Sequence, residues 1–284
     1  MLLSKKNRVY IEDQVVPSPA RRVRMVLDLL TDDPIIKFPM EKGLIEDMEI
    51  FGVNRDWFIP FLEENNELII NLGNLDQWIG TPDEQGLKHV KLDVKFVLVN
   101  PEFKLGRFNR GYEGIVELTE AEEMELHITL PLGMKMSHKK NVSEIKLSNK
   151  NNELKSISIP ATSILDKDRR RRYDFLVSSD HLKSILNPEN PDETIKLNYN
   201  VTNEKEYYVI TVIGLGLFAF ALFRMFDMLD GQIEFDIRYL AAAVAFISLY
   251  ITILREKYEL PFRKLLVYTT VFIGIELILE LLME

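Results

Sequence analysis

Three long apolar runs lie beyond Tyr207: residues 208–226 (YVITVIGLGLFAFALFRMF), 239–254 (YLAAAVAFISLYITIL) and 265–283 (LLVYTTVFIGIELILELLM). The first carries one charge, Arg224, the second none, and the third Glu276 and Glu280. An apolar helix of such length has two destinations. It can be wrapped in a protein core, or it can cross a hydrocarbon layer about 30 Å thick, which takes roughly 17 to 25 helical residues. The first and third runs are long enough, and the second is marginal unless its flanking residues reach the interface. Three such runs joined only by short charged loops are hard to cover with the polar chain before them. The expectation is therefore three transmembrane helices.

Charge then orients them. Only six of the 35 basic and nine of the 44 acidic residues lie beyond Tyr207, so the preceding segment is charge-rich and mildly acidic. That balance gives no reason to expect nucleic-acid binding, which favours strongly basic domains. With no cysteine, disulfides, thiolate zinc sites and cysteine nucleophiles are excluded together. The N-terminus MLLSKKNRVY places charges where a secretory signal would be apolar. Lys196, Lys205, Arg255, Lys257, Arg263 and Lys264 flank the spans on one side, against Arg224 and Arg238 on the other. The excess of basic residues predicts a multi-pass cell-membrane protein with its N-terminal domain cytoplasmic and its C-terminus outside, the lipid bilayer being its first partner.

Intramembrane charge is costly and marks function when it has no partner. Arg224 and Glu280 fall at similar depth in the first and third runs, and Glu276 lies one helical turn deeper on the same face as Glu280. They either pair and reach the interface, or they line an ion path in a homo-oligomer, since one chain cannot enclose a pore with three helices. Gly214 and Gly216 on one run, and Ala241, Ala245 and Ser248 on the next, offer small faces for close helix contact.

The first 203 residues read as α+β, mainly β. Residues 8–16 look extended. The segment SPARRVRMVLDLL then predicts a helix, with Ser18 as N-cap, Pro19 at its first position and Val23, Val26, Leu27 and Leu30 on one stripe. A second short helix is expected over RDWFIPFLEEN, with Trp57 and Phe58 in the core. The strand ELIINL follows. From residue 85 the apolar period becomes two: Val90, Leu92, Val94, Phe96 and Leu98, then Met124, Leu126, Ile128 and Leu130. Further strands are expected at 112–118, 142–148, 153–159, 173–177 and 194–202, which suggests a sandwich of immunoglobulin-like architecture. The organisation predicted is an α/β part at 1–84, a β-sandwich-like part at 85–203, and a three-helix transmembrane domain at 208–284.

Motifs that carry chemistry are few. The chain has no GxGxxG, P-loop, HExxH or GxSxG, which removes the common nucleotide, zinc-protease and serine-hydrolase signatures. In EAEEMELHI, a strand would project Glu123, Glu125 and His127 from one face, and two carboxylates with an imidazole are a divalent-metal donor set. Other histidines, His89, His138 and His181, are scattered. The run DKDRRRRYDF places Arg169, Arg170, Arg171 and Arg172 together, a candidate surface for an anionic partner, opposed by Asp166, Asp168 and Asp174. No cofactor is expected. The function this supports is a β-rich binding or sensing module, taking a protein or small ligand, coupled to or tethered by the three spans. The alternatives are a subunit of an oligomeric channel gated by that module, and a membrane-tethered metalloenzyme.

Overall fold

The computed structural model describes residues 2–14, 19–39, 44–53, 55–64, 67–78, 84, 86–99, 101, 103–105, 111–118, 121–139, 142–149, 155–167, 170–186, 195–229, 237–255 and 263–283. The chain is mainly β. In order, the strands are β1 (Leu2–Gln14), β2 (Ala20–Thr31), β3 (Ile35–Pro39), β4 (Leu44–Gly52), β5 (Arg55–Phe58), β6 (Phe61–Glu64), β7 (Glu67–Asn71), β8 (Lys88–Val99), β9 (Phe103–Leu105) and β10 (Gly111–Leu118). Then follow β11 (Glu123–Thr129), β12 (Met134–Met136), β13 (His138–Lys139), β14 (Val142–Asn149), β15 (Ser156–Pro160), β16 (Ser163–Lys167) and β17 (Arg170–Val177). Helix α1 (Ser179–Ile185), β18 (Ile195–Asn203) and helices α2 (Lys205–Leu229), α3 (Ile237–Arg255) and α4 (Arg263–Met283) complete the chain.

These elements cluster into two compact units, one of Met1–Lys104, Glu113–Pro131 and Met136–Val201, the other of Leu105–Tyr112, Leu132–Lys135 and Thr202–Glu284. The first unit is built on an eight-stranded sheet ordered β16-β17-β11-β1-β2-β8-β4-β5. A seven-stranded sheet runs β13-β14-β18-β10-β9, completed by β12 and β15, and β3-β7-β6 form a third. Strict alternation explains the core of the large sheet. Val9, Ile11, Val23, Leu27, Val90, Leu92, Val94, Leu126, Ile128, Tyr173 and Phe175 are buried, while the residues between them face outward. Because the side-chain period is two, burying one face fixes the register of every strand.

One ionic group breaks the apolar rule. Asp13 and Arg21 are direct cross-strand partners, and both side chains are fully buried. Arg21 Nε donates to Asp13 Oδ1 at 2.8 Å, its Nη1 donates to the Ile115 carbonyl, and its Nη2 reaches the Tyr199 hydroxyl at 3.2 Å. That hydroxyl in turn donates to Asp13 Oδ2. The guanidinium thus ties β2 of the large sheet to β10 and β18 of the second, and the paired geometry offsets the cost of taking both charges out of water. Tyr199 packs against Gly114, where an added Cβ would meet its ring at 2.3 Å. Only glycine permits that approach.

Two predicted helices are strands. Residues 20–30 belong to β2, paired over its length with β1 and β8, which satisfies its backbone on both sides. Ser18 lies outside the described residues. Residues 55–64 split around Pro60 into β5 and β6, which belong to different sheets. Phe58 is exposed, not in the core, and the Trp57 side chain lies outside the described residues. The seven-strand immunoglobulin-like arrangement is likewise replaced by sheets of eight, seven and three strands.

In the second unit α2, α3 and α4 cover the three apolar runs and bury Ala221, Ala243, Phe246, Tyr250, Leu266, Ile273 and Leu277 together. Gly214 allows this, because a Cβ there would meet the Phe246 ring at 2.6 Å and Leu266 Cδ2 at 2.8 Å. Phe218 and Phe272 meet edge to face at 5.1 Å. Val212, Phe223 and Tyr268 are exposed. The transmembrane expectation is corrected here: among the described residues no helix is long and apolar enough to cross a membrane. A three-span bundle, a multi-pass membrane location and an orientation across a bilayer therefore lose their basis. A bilayer needs about 20 uninterrupted apolar residues per helix. Apolar length alone does not separate that case from helices that shield one another.

Candidate functional site

The outward face of the eight-stranded sheet carries many charged residues, and its register arranges them in rows. One row crosses six strands as Asp174, His127, Tyr10, Arg24, Lys95 and Glu49. The next runs Arg172, Thr129, Glu12, Arg22, Val97 and Glu46. Over these rows lies a cleft of about 640 Å³ lined by Tyr10, Glu12, Arg22, Arg24, Asp47, Lys95, Thr129, Arg170 and Arg172, with Ile11, Val23, Phe96 and Val97 contributing to its floor. Five cations face two carboxylates in that lining.

How those charges are neutralised matters more than their number. Arg24 and Lys95 stand directly opposite each other, a like-charge pair that weakens a sheet. A single carboxylate serves both: Arg24 Nε and Nη2 donate to the two oxygens of Asp93 at 2.9 Å each, and Lys95 Nζ lies 3.8 Å from it. Arg24 also sits over the Tyr10 ring at 5.7 Å and Lys95 over the Phe51 ring at 5.5 Å. These contacts hold the Arg24 guanidinium above its usual pKa, the hydrogen bond to Asp93 being the main cause. Arg170 pairs with Glu12, and Arg172 with Asp174 at 2.8 Å. Arg22 is exposed and has no hydrogen-bonding or ion-pair partner among the described residues. Across the cleft, β4 carries an irregularity between Glu46 and Glu49 that holds Asp47 at φ 52°, a left-handed conformation aspartate tolerates. Asp47 too is exposed with no partner among the described residues.

Beside the cleft, His127 stacks on Tyr10 at 4.5 Å and its Nδ1 lies 2.7 Å from Asp174 Oδ1. Asp174 also accepts from Arg172 and, at 2.7 Å, from the Ser163 hydroxyl. Burial alone would push the Asp174 carboxyl up, but the bonds from Arg172, His127 and Ser163 outweigh it and hold it below the usual aspartate range. An ionised carboxylate only accepts, so the hydrogen bond to Asp174 is donated by His127 Nδ1–H.

The sequence-derived residues fall as follows. Glu123, Glu125 and His127 do share the outward face of β11. Glu125 is engaged by Lys6 at 2.7 Å and Arg8 at 2.8 Å, and those hydrogen bonds, Lys6 first, hold its carboxyl below the usual range. Lys6 also reaches Glu123 at 3.5 Å. Among the described residues no group of histidines and carboxylates is disposed to hold a metal ion. Of the arginine run, Arg170 and Arg172 line the cleft, Arg171 pairs with Asp166 at 3.2 Å, and Arg169 lies outside the described residues. Arg224 is on α2, and the side chains of Glu276 and Glu280 on α4 lie outside the described residues. His89 pairs with Asp28, and His181 caps α1 through the Ser178 amide. The His138 side chain lies outside the described residues. Arg22, Arg24, Lys95 and Asp47 were not singled out in the sequence, because only strand pairing brings these three strands together.

No protein-family model and no curated protein matches the chain. Among solved structures, the M1 zinc metallopeptidase from Deinococcus radiodurans is similar at 7% identity with a TM-score of 0.37, over 69% of this chain and 42% of that one. A substituted form of the same peptidase bound to a Tyr-Ser-Ala substrate gives 8% identity, a TM-score of 0.37 and the same coverage. The chain thus spans less than half the length of these structures, and a likeness of this size carries no argument about activity.

Proposed function

We propose that the chain is a binding module whose ligand places an anionic group on Arg22, Arg24 and Lys95 in the cleft of the eight-stranded sheet. The observation that carries this reading is the retained like-charge pair Arg24–Lys95 beside Arg22, which has no partner among the described residues. Three cations on adjacent strands repel one another, and a carboxylate or phosphate placed among them would accept charge-assisted hydrogen bonds from their free N–H groups. Arg24 spends two of its five donors on Asp93, so its other N–H groups remain for a ligand.

The test is calorimetric titration of the whole chain with trialanine, acetate and inorganic phosphate. Arg22→Gln is expected to weaken binding of the anion that binds by about tenfold, the effect of losing one charge-assisted bond of about 1.5 kcal/mol. The wild-type affinity should also fall as salt rises, since the contact is between exposed charges. Affinity unchanged in Arg22→Gln would remove the reading.

A further inference from the structure

We infer that the ligand of this cleft is a zwitterion, a short peptide with free ends whose carboxylate meets Arg22 and whose ammonium meets Asp47. The inference rests on the anion-binding reading and adds the second pole. Of the charged side chains lining the cleft, Glu12 is paired with Arg170, Arg172 with Asp174, and Arg24 and Lys95 share Asp93. Arg22 and Asp47 are left without partners among the described residues. They are opposite in sign, face the same space and do not pair with each other.

Their separation sets the length of the ligand. Arg22 is opposite Val97 on β8, and Val97 is opposite Glu46, the neighbour of Asp47 on β4. Arg22 and Asp47 are therefore two strand spacings apart, about 10 Å between backbones. An extended peptide covers at most about 3.3 to 3.6 Å per residue, so a tripeptide spans that distance end to end. Thr129 supplies a hydroxyl at the other margin of the cleft. A continuous polyanion fits less well, because one end of it would meet the Asp47 carboxylate. Asp47 lines the cleft from within the β4 irregularity, between Glu46 and Glu49.

The experiment compares trialanine with its N-acetylated and C-amidated forms on the full chain, in wild type and in Asp47→Asn. A second variant, Asp47→Gly, removes the carboxylate while suiting a φ of 52°, and far-ultraviolet dichroism checks that both fold. The expected result is that N-acetylation and Asp47→Asn each weaken binding about tenfold, and that acetylation costs nothing further in either variant. Amidation should weaken binding through Arg22 instead. Equal affinity for free and acetylated peptide, with loss on amidation, would overturn the zwitterion and leave the anion site standing. Phosphate binding more tightly than any peptide would overturn it as well. Should no probe bind at all, both readings fall together.

Discussion

At the residue scale, two charged groups decide the interior and the surface of the large sheet. Arg21 and Asp13 have no access to water, so each neutralises a charge that would otherwise stand alone in a low-dielectric core. Arg21→Met should cost about 3 to 5 kcal/mol, the price of an uncompensated buried carboxylate. Replacing the cluster together, as Arg21→Met with Asp13→Val and Tyr199→Phe, should restore most of that stability; urea denaturation of both variants reads the difference. A triple variant no more stable than the single one would show that the network matters for packing alone. Asp174 makes a different prediction, because its folded pKa lies below its unfolded one. Its stabilising contribution is complete above the ordinary aspartate range near about 4 and is lost as pH falls through the lower folded value. The gap in urea midpoint between wild type and Asp174→Asn should therefore be widest near pH 6 and close towards pH 3. A gap that holds constant over that interval would contradict the assignment.

At the element scale, the alternation at residues 90–98 and 124–130 was readable as strand without any partner in view. The segment 18–30 was not. Val23, Val26, Leu27 and Leu30 satisfy a helical stripe, while Arg21, Val23, Leu27 and Leu29 satisfy a strand face. The choice went to the sheet because β1 and β8 supply hydrogen bonds to both edges. The arginine run shows the same limit: alternation along β17 puts Arg170 and Arg172 in the cleft and gives Arg171 to Asp166. In the helices, glycines that look equivalent in sequence differ in packing. Gly214→Ala would push a methyl group into Phe246 and Leu266 and should destabilise by about 1 to 3 kcal/mol. Gly216→Ala and Gly274→Ala meet nothing within 4 Å and should stabilise by about 0.5 to 1 kcal/mol through helix propensity. Thermal melts followed at 222 nm distinguish these cases, and Gly214→Ala melting at or above the wild-type temperature would refute the close contact. The small face expected from Ala241 and Ala245 is exposed, and α3 buries Ala243, Phe246 and Tyr250 instead.

At the scale of the whole molecule, composition changes character beyond Tyr207, whereas the second compact unit takes in Thr202–Glu284. That unit also takes in Leu105–Tyr112 and Leu132–Lys135, which no composition shift announces. The destination of its three apolar runs was misjudged, since among the described residues none is long and apolar enough to cross a membrane. What the amino-acid order determined by itself was local: period-two alternation, glycine and proline breaks, and runs apolar enough to be helices, because these depend only on neighbours along the chain. The tertiary structure alone decided which faces meet. Opposition of Arg24 to Lys95, the placing of Arg22 and Asp47 around one cleft, and the burial of Arg21 against Asp13 and Tyr199 all arise from register between strands distant in sequence, where side-chain direction is set by backbone pairing and not by the residues themselves.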